Sequence, residues 1–167
     1  ETSEDYFKKT RVLETITSDR ESFRTLSTGK TSALDTPILV GNGSPFDLIK
    51  EKHLPSLNMI FHVHDIWGVD VVRLKRGDEL YKVFTSTPSI SATNLVDIYG
   101  VKYVISVIPI QGDPRFELVY ARLDGLEGNK EDLLKQNTIK LYRNKNPLSR
   151  AWLVKEFKVM DSKTVLE

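Results

Sequence analysis

The sequence predicts an α+β domain, with a mixed, largely antiparallel sheet of about five strands and helices packed on one face of it. The predicted elements run in the order helix, strand, loop, helices and then a series of strands. Residues 102–108 are apolar at alternate positions on both faces, which is typical of a central strand. A length of 167 residues fits one domain, so we predict a single soluble domain over residues 1–167.

The first third of the chain predicts helices and strands separated by a long loop. The predicted elements are an amphipathic helix within residues 4–18, a strand at 22–28, a loop over 29–45 with a short strand at 37–40, and a short helix at 46–52. Ser44 and Pro45 are expected to begin the short helix as its N-cap and first helical residue.

The middle of the chain predicts one strand followed by two helices. Residues 58–66 alternate between apolar and other residues, which indicates a strand, and residues 71–85 have helical spacing. Ser91 or Thr93 is expected to cap a second helix that extends through Tyr99. Gly100 then lies where a helix C-terminus favours a left-handed residue.

The C-terminal part predicts four strands. Their ranges are 102–108, 116–123, 138–143 and 151–157, with a turn and a short helix in residues 124–135. The last two strands lie on either side of a polar Asn/Pro turn, which favours a hairpin.

Composition and charge narrow the classes of function. The chain has 24 basic and 23 acidic residues, so no basic excess favours nucleic acid or an anionic membrane surface. It has no cysteine, which excludes disulfides, thiolate catalysis and Cys-ligated metals. The most apolar run, residues 103–110, is far shorter than the roughly 20 residues of a membrane-spanning helix. Residues 29–31 and 41–45 lack the complete phosphate-loop patterns, and no cofactor is predicted.

Several segments carry a family resemblance through their order and spacing. They are Phe-Arg at 23–24, Gly-Val-Asp at 68–70 before the helix at 71–84, the helix and strand at 94–106, Tyr-Arg-Asn at 142–144 and Leu-Ser-Arg-Ala-Trp-Leu-Val at 148–154. In this order they resemble the soluble C-terminal part of YfhO-like, GT-C-type bacterial polytopic membrane proteins. Val69 stands where that family usually has an aromatic residue, and Ser149 stands where it usually has proline, which removes a turn constraint.

The resemblance implies that the chain is a piece of a larger membrane protein. That protein would be a glycosyltransferase that uses a lipid-linked sugar, and its catalytic carboxylate would lie in the membrane part, so no catalytic residue is assigned in this chain. The implied location is the extracytoplasmic face of a bacterial membrane, and the implied partners are the membrane-embedded part of the same polypeptide and a saccharide or lipid-linked sugar. The implied role is non-catalytic help in acceptor or saccharide recognition. The alternative is a structural or interaction module that stabilises the membrane part or an oligomer.

Five residues are candidates for saccharide or acceptor binding. Trp67 offers an aromatic face beside the carboxylate of Asp70, and Arg73 and Tyr81 can add to this site. Arg150 can bind an anionic acceptor or a lipid phosphate. The alternative is that Trp67 belongs to the core, Asp70 caps the following helix and Arg150 forms a surface ion pair.

One cluster has the character of a metal site. His62 and His64 would project from the same face of the predicted strand, and Asp65 follows them. A metal would need a further ligand, for which His53 and Asp70 are candidates. This cluster predicts, as a third alternative, a metal-dependent hydrolase; otherwise the two histidines belong to a polar strand face.

Overall fold

A computed structural model describes residues 6–33, 35–52, 57–66, 75–86 and 90–160. We number its helices and strands in chain order. They are α1 (Arg11–Ser18), β1 (Arg24–Ser27), α2 (Gly29–Ser32), α3 (Pro45–Glu51), α4 (Leu57–Ile60), α5 (Lys75–Ser86), a 3₁₀ turn (Ile90–Ala92), α6 (Leu95–Ile98), β2 (Val101–Ser106), β3 (Phe116–Ala121), α7 (Lys130–Lys135) and β4 (Lys140–Asn144). Among the described residues, no helix has both the length and the apolar character needed to cross a membrane.

The strands form one mixed sheet, which confirms the α+β class. Within the described residues the sheet has four strands in the order β1-β2-β4-β3. The β1–β2 pair is parallel, and the β2–β4 and β3–β4 pairs are antiparallel. Strand β2 lies between two neighbours, as its apolar character on both faces predicts, and it is almost entirely buried.

The apolar core lies on both faces of this sheet. On one face Ile105 of β2 and Leu141 of β4 pack with the buried side of α1. On the other face Val104 and Tyr142, the residues next to them in each strand, pack with Val96 of α6. Successive strand residues point to opposite faces, so the sheet is covered on both sides rather than on the one side that the sequence predicts.

Two helices follow directly from their sequences. Helix α1 has Val12, Leu13 and Ile16 at helical spacing, and all three are buried against the sheet, worth about 1.5–3 kcal/mol each. Helix α3 begins as predicted, because the Ser44 side chain accepts a hydrogen bond from Phe46 N and Pro45 occupies the first turn.

The structure differs from the prediction over residues 58–66. Instead of a strand, the chain forms α4 and then a turn in which His62 has a φ of 54°. Only the end of this segment is extended, where Thr25 of β1 donates from its N to His64 O at 2.7 Å and accepts from Ile66 N at 3.0 Å. Phe61 and Val63 are both buried in the turn, so alternating burial arises here without a regular strand.

Residues 37–40 and 151–157, both predicted as strands, do not belong to the sheet. Leu39 N donates to Asn137 O at 2.9 Å, but no strand ladder includes residues 37–40 among the residues that the structure describes. Residues 151–157 are exposed and irregular, with bends at Ala151 and Lys155. An apolar run becomes a strand only where another strand lies beside it, and sequence alone does not show this neighbour.

Candidate functional site

Hydrogen bonds converge where α6 passes into β2. Gly100 has a φ of 63°, the left-handed conformation predicted for it, and a Cβ atom there would lie 2.9 Å from Leu148 O. Arg24 holds the same turn from the β1 side, because its N donates to Gly100 O and its Nη1 donates to Tyr99 O, both at 2.9 Å. A glycine is therefore required at a point where three separate segments meet.

Asp97 is the centre of this region. Its Oδ2 accepts from Arg115 Nη1 at 2.8 Å and its Oδ1 accepts from Asn144 Nδ2 at 2.6 Å. Its backbone oxygen accepts from Leu148 N at 2.9 Å. Asn144 also donates to Val101 O at 3.0 Å, so one amide side chain joins β4 to both α6 and β2. We call this region the Asp97 junction; its residues are Arg24, Asp97, Gly100, Arg115, Asn144 and Leu148.

Arg115 closes the junction on the side of β3. All three of its guanidinium nitrogens donate hydrogen bonds, with Asp113 and Asp97 as the charged partners at 2.8 Å. The remaining bonds are accepted by the backbone oxygens of Ser91 and Thr93, at 3.1 and 3.2 Å, and by Asn94 Oδ1 at 3.2 Å. The hydrogen bonds that Arg115 donates to the carboxylate of Asp113 lower the pKa of Asp113 to about 2, and the same bonds raise the pKa of Arg115.

The polar groups of the junction are thus bonded to one another. Three of the segments on which the predicted resemblance rests meet here: Arg24, the stretch 94–106 and Tyr-Arg-Asn at 142–144 are all joined by hydrogen bonds. Leu148, which begins the fourth such segment, is bonded to Asp97. The remaining segment, residues 68–70, lies outside the described residues. An arrangement of this kind fixes the relative positions of strands and helices and places no free nucleophile or base in the junction.

Several buried charged groups lie away from the junction, among them Glu51, Arg122 and Lys140. Arg122 donates from Nη1 to Glu51 Oε2 at 2.8 Å, and both side chains are buried. Burial raises the pKa of Glu51, while the neighbouring guanidinium opposes that shift. Lys140 is fully buried and donates from Nζ to the backbone oxygens of Val107 and Gln136 at 2.8 Å, and to that of Thr138 at 3.0 Å. Burial lowers the pKa of Lys140 to about 8.

The turn at residues 41–45 is explained by close packing. A Cβ atom on Gly43 would overlap the guanidinium of Arg122, and one on Gly41 would overlap the backbone oxygen of Asp124. Gly41 also has a φ of 60°. These glycines let one loop lie directly against another, which agrees with their interpretation as a turn.

The saccharide candidates are only partly described. Trp67, Asp70 and Arg73 lie outside the described residues. Tyr81 lies half-buried in α5, and Arg150 is exposed after β4. A saccharide site formed by these five residues therefore stays a prediction.

The histidine cluster loses the geometry on which its prediction rests. His62 lies in a turn with positive φ, so it does not share a regular strand face with His64. Both histidines are exposed, and Asp65 bridges to Thr25 through the backbone. Within the described part of the chain, no group of three or more His, Asp or Glu side chains is placed to hold a metal ion. The further ligand candidates His53 and Asp70 lie outside the described ranges.

The segment after the junction exposes apolar side chains and has no regular secondary structure. Leu153, Phe157 and Val159 are 99%, 88% and 86% exposed, and Trp152 and Val154 are exposed as well. We call residues 151–160 the arm. The predicted strand at 151–157 is therefore wrong: its residues are strand-like, but the backbone is irregular and has no strand partner within the described residues.

The residues of the junction gave only weak signals in the sequence. Gly100 follows a helix, as its place in the sequence predicts. Thr93 accepts from Leu95 N at 3.1 Å, but the N-cap residue of α6 is Asn94, so neither Ser91 nor Thr93 is the cap that the sequence predicts. Asp97, Arg115 and Lys140 were not singled out, because a charged residue on a short amphipathic segment reads as solvent-exposed. In comparisons with known proteins, no family model, curated protein or solved structure matches the chain.

Proposed function

We propose that this chain is a non-catalytic structural and interaction domain, carried on the extracytoplasmic face of a bacterial membrane by a GT-C-like polytopic protein. The observation that supports this best is the Asp97 junction, because four of the five segments that resemble the YfhO-like family meet there. Segments whose order and spacing serve packing are expected to contact one another in the fold. The hydrogen bonds of Arg24 and of Asn144 to the stretch 94–106 meet this expectation. The membrane context of this proposal rests on the resemblance, and the structural role rests on the hydrogen bonds of the Asp97 junction.

The bonding pattern supports a structural role over a catalytic one. A general base or nucleophile must reach a substrate, and its pKa must suit the proton transfer. Asp97 and Asp113 instead accept hydrogen bonds from Arg115, and the pKa of Asp113 is moved away from neutral pH. Lys140 has a pKa nearer neutrality, but it is enclosed by backbone oxygens and fully buried. These groups hold segments together.

The location can be tested by chemical labelling in cells, because the chain contains no cysteine of its own. A Lys135→Cys substitution in the native gene places a thiol on an exposed helix residue. A membrane-impermeant maleimide is expected to label this variant in intact cells as fully as in permeabilised cells, after subtraction of the signal from the unmodified gene. Labelling only after permeabilisation would overturn the extracytoplasmic assignment.

Saccharide recognition is tested separately. A glycan array is probed with the chain and with its Arg150→Ala variant. If Arg150 binds an acceptor, the chain gives a signal that the variant loses. Lys145→Ala, an exposed cation in the same turn, is the matched control. A blank array removes acceptor binding from the proposal and leaves the structural role.

A further inference from the structure

The loop before helix α3 contains an asparagine followed directly by a glycine, Asn42 and Gly43, and no other asparagine of the chain precedes a glycine. Such a pair is chemically labile in water, because the main-chain nitrogen after the asparagine can attack the side-chain amide carbon and close a five-membered ring. A side chain on the second residue hinders this attack, and glycine has none. Asn42 is exposed, so water reaches its amide.

Packing against Arg122 requires this glycine. A Cβ atom on Gly43 would overlap the guanidinium of Arg122. Arg122 is buried and its Nη1 lies 2.8 Å from Glu51 Oε2, so the guanidinium is held in place and does not simply move aside. The fold therefore keeps a reactive dipeptide at this position.

Arg122 also faces the peptide group that would react. Its Nη2 donates to Asn42 O at 3.5 Å, and this oxygen belongs to the same peptide group as Gly43 N. A cation beside the oxygen stabilises the negative charge that the peptide group acquires when its N–H loses a proton, which makes the nitrogen a better nucleophile. Gly43 is exposed, and among the residues that the structure describes none accepts a hydrogen bond from its N. The proton is therefore open to a base in the solvent.

We propose that Asn42 is a site of spontaneous covalent modification, at which Arg122 promotes conversion of the side-chain amide into a carboxylate. Gly43 N loses its proton to the solvent and forms a bond to Asn42 Cγ, and the bond from Cγ to Nδ2 breaks as ammonia leaves. Water then opens the resulting succinimide at one of its two carbonyl carbons. Opening at Cγ gives aspartate, and opening at the main-chain carbon gives isoaspartate.

The products change the contacts between this loop and Arg122. Either carboxylate is an additional anionic partner beside a guanidinium that otherwise pairs with Glu51. Isoaspartate also adds one carbon to the main chain between residues 42 and 43, which moves Gly43 out of its close contact with Arg122. The inference goes beyond the proposed function and does not depend on it.

Peptide mass spectrometry tests the site in the purified chain, held near neutral pH and sampled over several days. The tryptic peptide 31–50 has Asn42 as its only amide side chain, so the mass change from amide to acid in this peptide reports the reaction. Two other exposed asparagines are internal controls: Asn129 precedes lysine, and Asn146 precedes proline, which has no N–H. We expect conversion at Asn42 before either control. Equal or slower conversion at Asn42 would overturn the site.

A variant without the buried charges tests the role of Arg122. Arg122→Gln combined with Glu51→Gln removes the cation and its partner together, so no unpaired buried charge is left. The matched control, Arg143→Gln with Glu117→Gln, removes an exposed ion pair on β3 and β4. Conversion at Asn42 is expected to slow severalfold in the first variant and to stay unchanged in the control. Equal rates in all three proteins would contradict promotion by Arg122.

If the urea midpoint shows that the first variant does not fold, the unmodified chain in urea replaces it. Unfolding removes the contact between Arg122 and the peptide group, so conversion at Asn42 is expected to be slower in urea than in buffer at the same pH. A rate in urea equal to or above the rate in the folded chain would overturn the role assigned to Arg122.

Discussion

Asn144, the last residue of β4, donates from Nδ2 to Oδ1 of Asp97 at 2.6 Å, and the same nitrogen donates to Val101 O at 3.0 Å. The two residues are 47 positions apart in sequence. Asn144 also accepts from Asn146 N at 3.0 Å, so its amide orders the turn that leads to the arm. A single buried side chain thus links the helix before β2, the start of β2 and the exit from β4.

Replacing Asn144 by Ala is expected to lower the free energy of unfolding by about 1.5–3 kcal/mol, because it removes a buried hydrogen bond to a carboxylate. The urea midpoint measures this effect. Asn146→Ala, an exposed residue of the same turn, is expected to change stability by less than about 0.5 kcal/mol. Equal losses of unfolding free energy in the two variants would contradict a stabilising role for the hydrogen bonds of the Asn144 side chain.

Two glycines should respond to alanine in opposite directions. Gly100→Ala is expected to destabilise by about 1–2 kcal/mol, because its φ is 63° and the new Cβ would crowd Leu148 O. Gly77 lies inside helix α5 with open space around it, so Gly77→Ala is expected to stabilise by roughly 0.5–1 kcal/mol. Thermal unfolding of both variants provides the comparison, and a gain in stability from Gly100→Ala would contradict the packing described here.

Asp113 predicts an acid-sensitive contribution to stability. Its folded pKa of about 2 lies below its ordinary value of 3.8, so the folded state binds fewer protons than the unfolded state between these values. The stabilisation is complete above about pH 4 and is lost as the pH falls through 2, amounting to about 2 kcal/mol at about 1.4 kcal/mol per pKa unit. The difference in unfolding free energy between the unmodified chain and Asp113→Asn should therefore narrow from pH 6 to pH 2. A constant difference over this range would exclude the charged pair as its cause.

Lys140 predicts a gain in stability with rising pH, at alkaline pH. Its folded pKa of about 8 lies below the ordinary 10.5, so the unfolded state binds more protons between these two values. Burial of the ammonium costs stability fully below pH 8, and this cost is relieved as the pH rises toward 10.5. Relative to Lys140→Met, the unmodified chain should gain stability from pH 8 to pH 10 in urea titrations. Lys135→Met, at an exposed position, should show no such divergence.

Much of the fold could be predicted because its signals are local. Val12, Leu13 and Ile16 define a helix face, Ser44 and Pro45 begin a helix, and the apolar run at 102–108 identifies the central strand. These patterns depend on residues a few positions apart, so the sequence carries them directly. The same locality misled the interpretation of residues 58–66, where alternating burial comes from a turn and from a bridge to Thr25.

The junction could not be predicted because its contacts join residues that are far apart in the sequence. Asp97, Arg115 and Asn144 are separated by 18 and 29 residues, and their partners are decided by how strands β2, β3 and β4 come together. A sequence shows that Lys140 is charged, but not that three backbone oxygens enclose it. Long-range polar networks depend on the completed fold, so they appear only when the structure is known.

The most direct test of the proposed role is an immunoblot of the source cells with antibody raised against this chain. The structural role at a membrane predicts that the native protein stays in carbonate-washed membranes and migrates with a mass well above that of 167 residues. It also predicts digestion of this region by protease added to spheroplasts. A protein of about this length recovered entirely in the soluble fraction would contradict the membrane assignment.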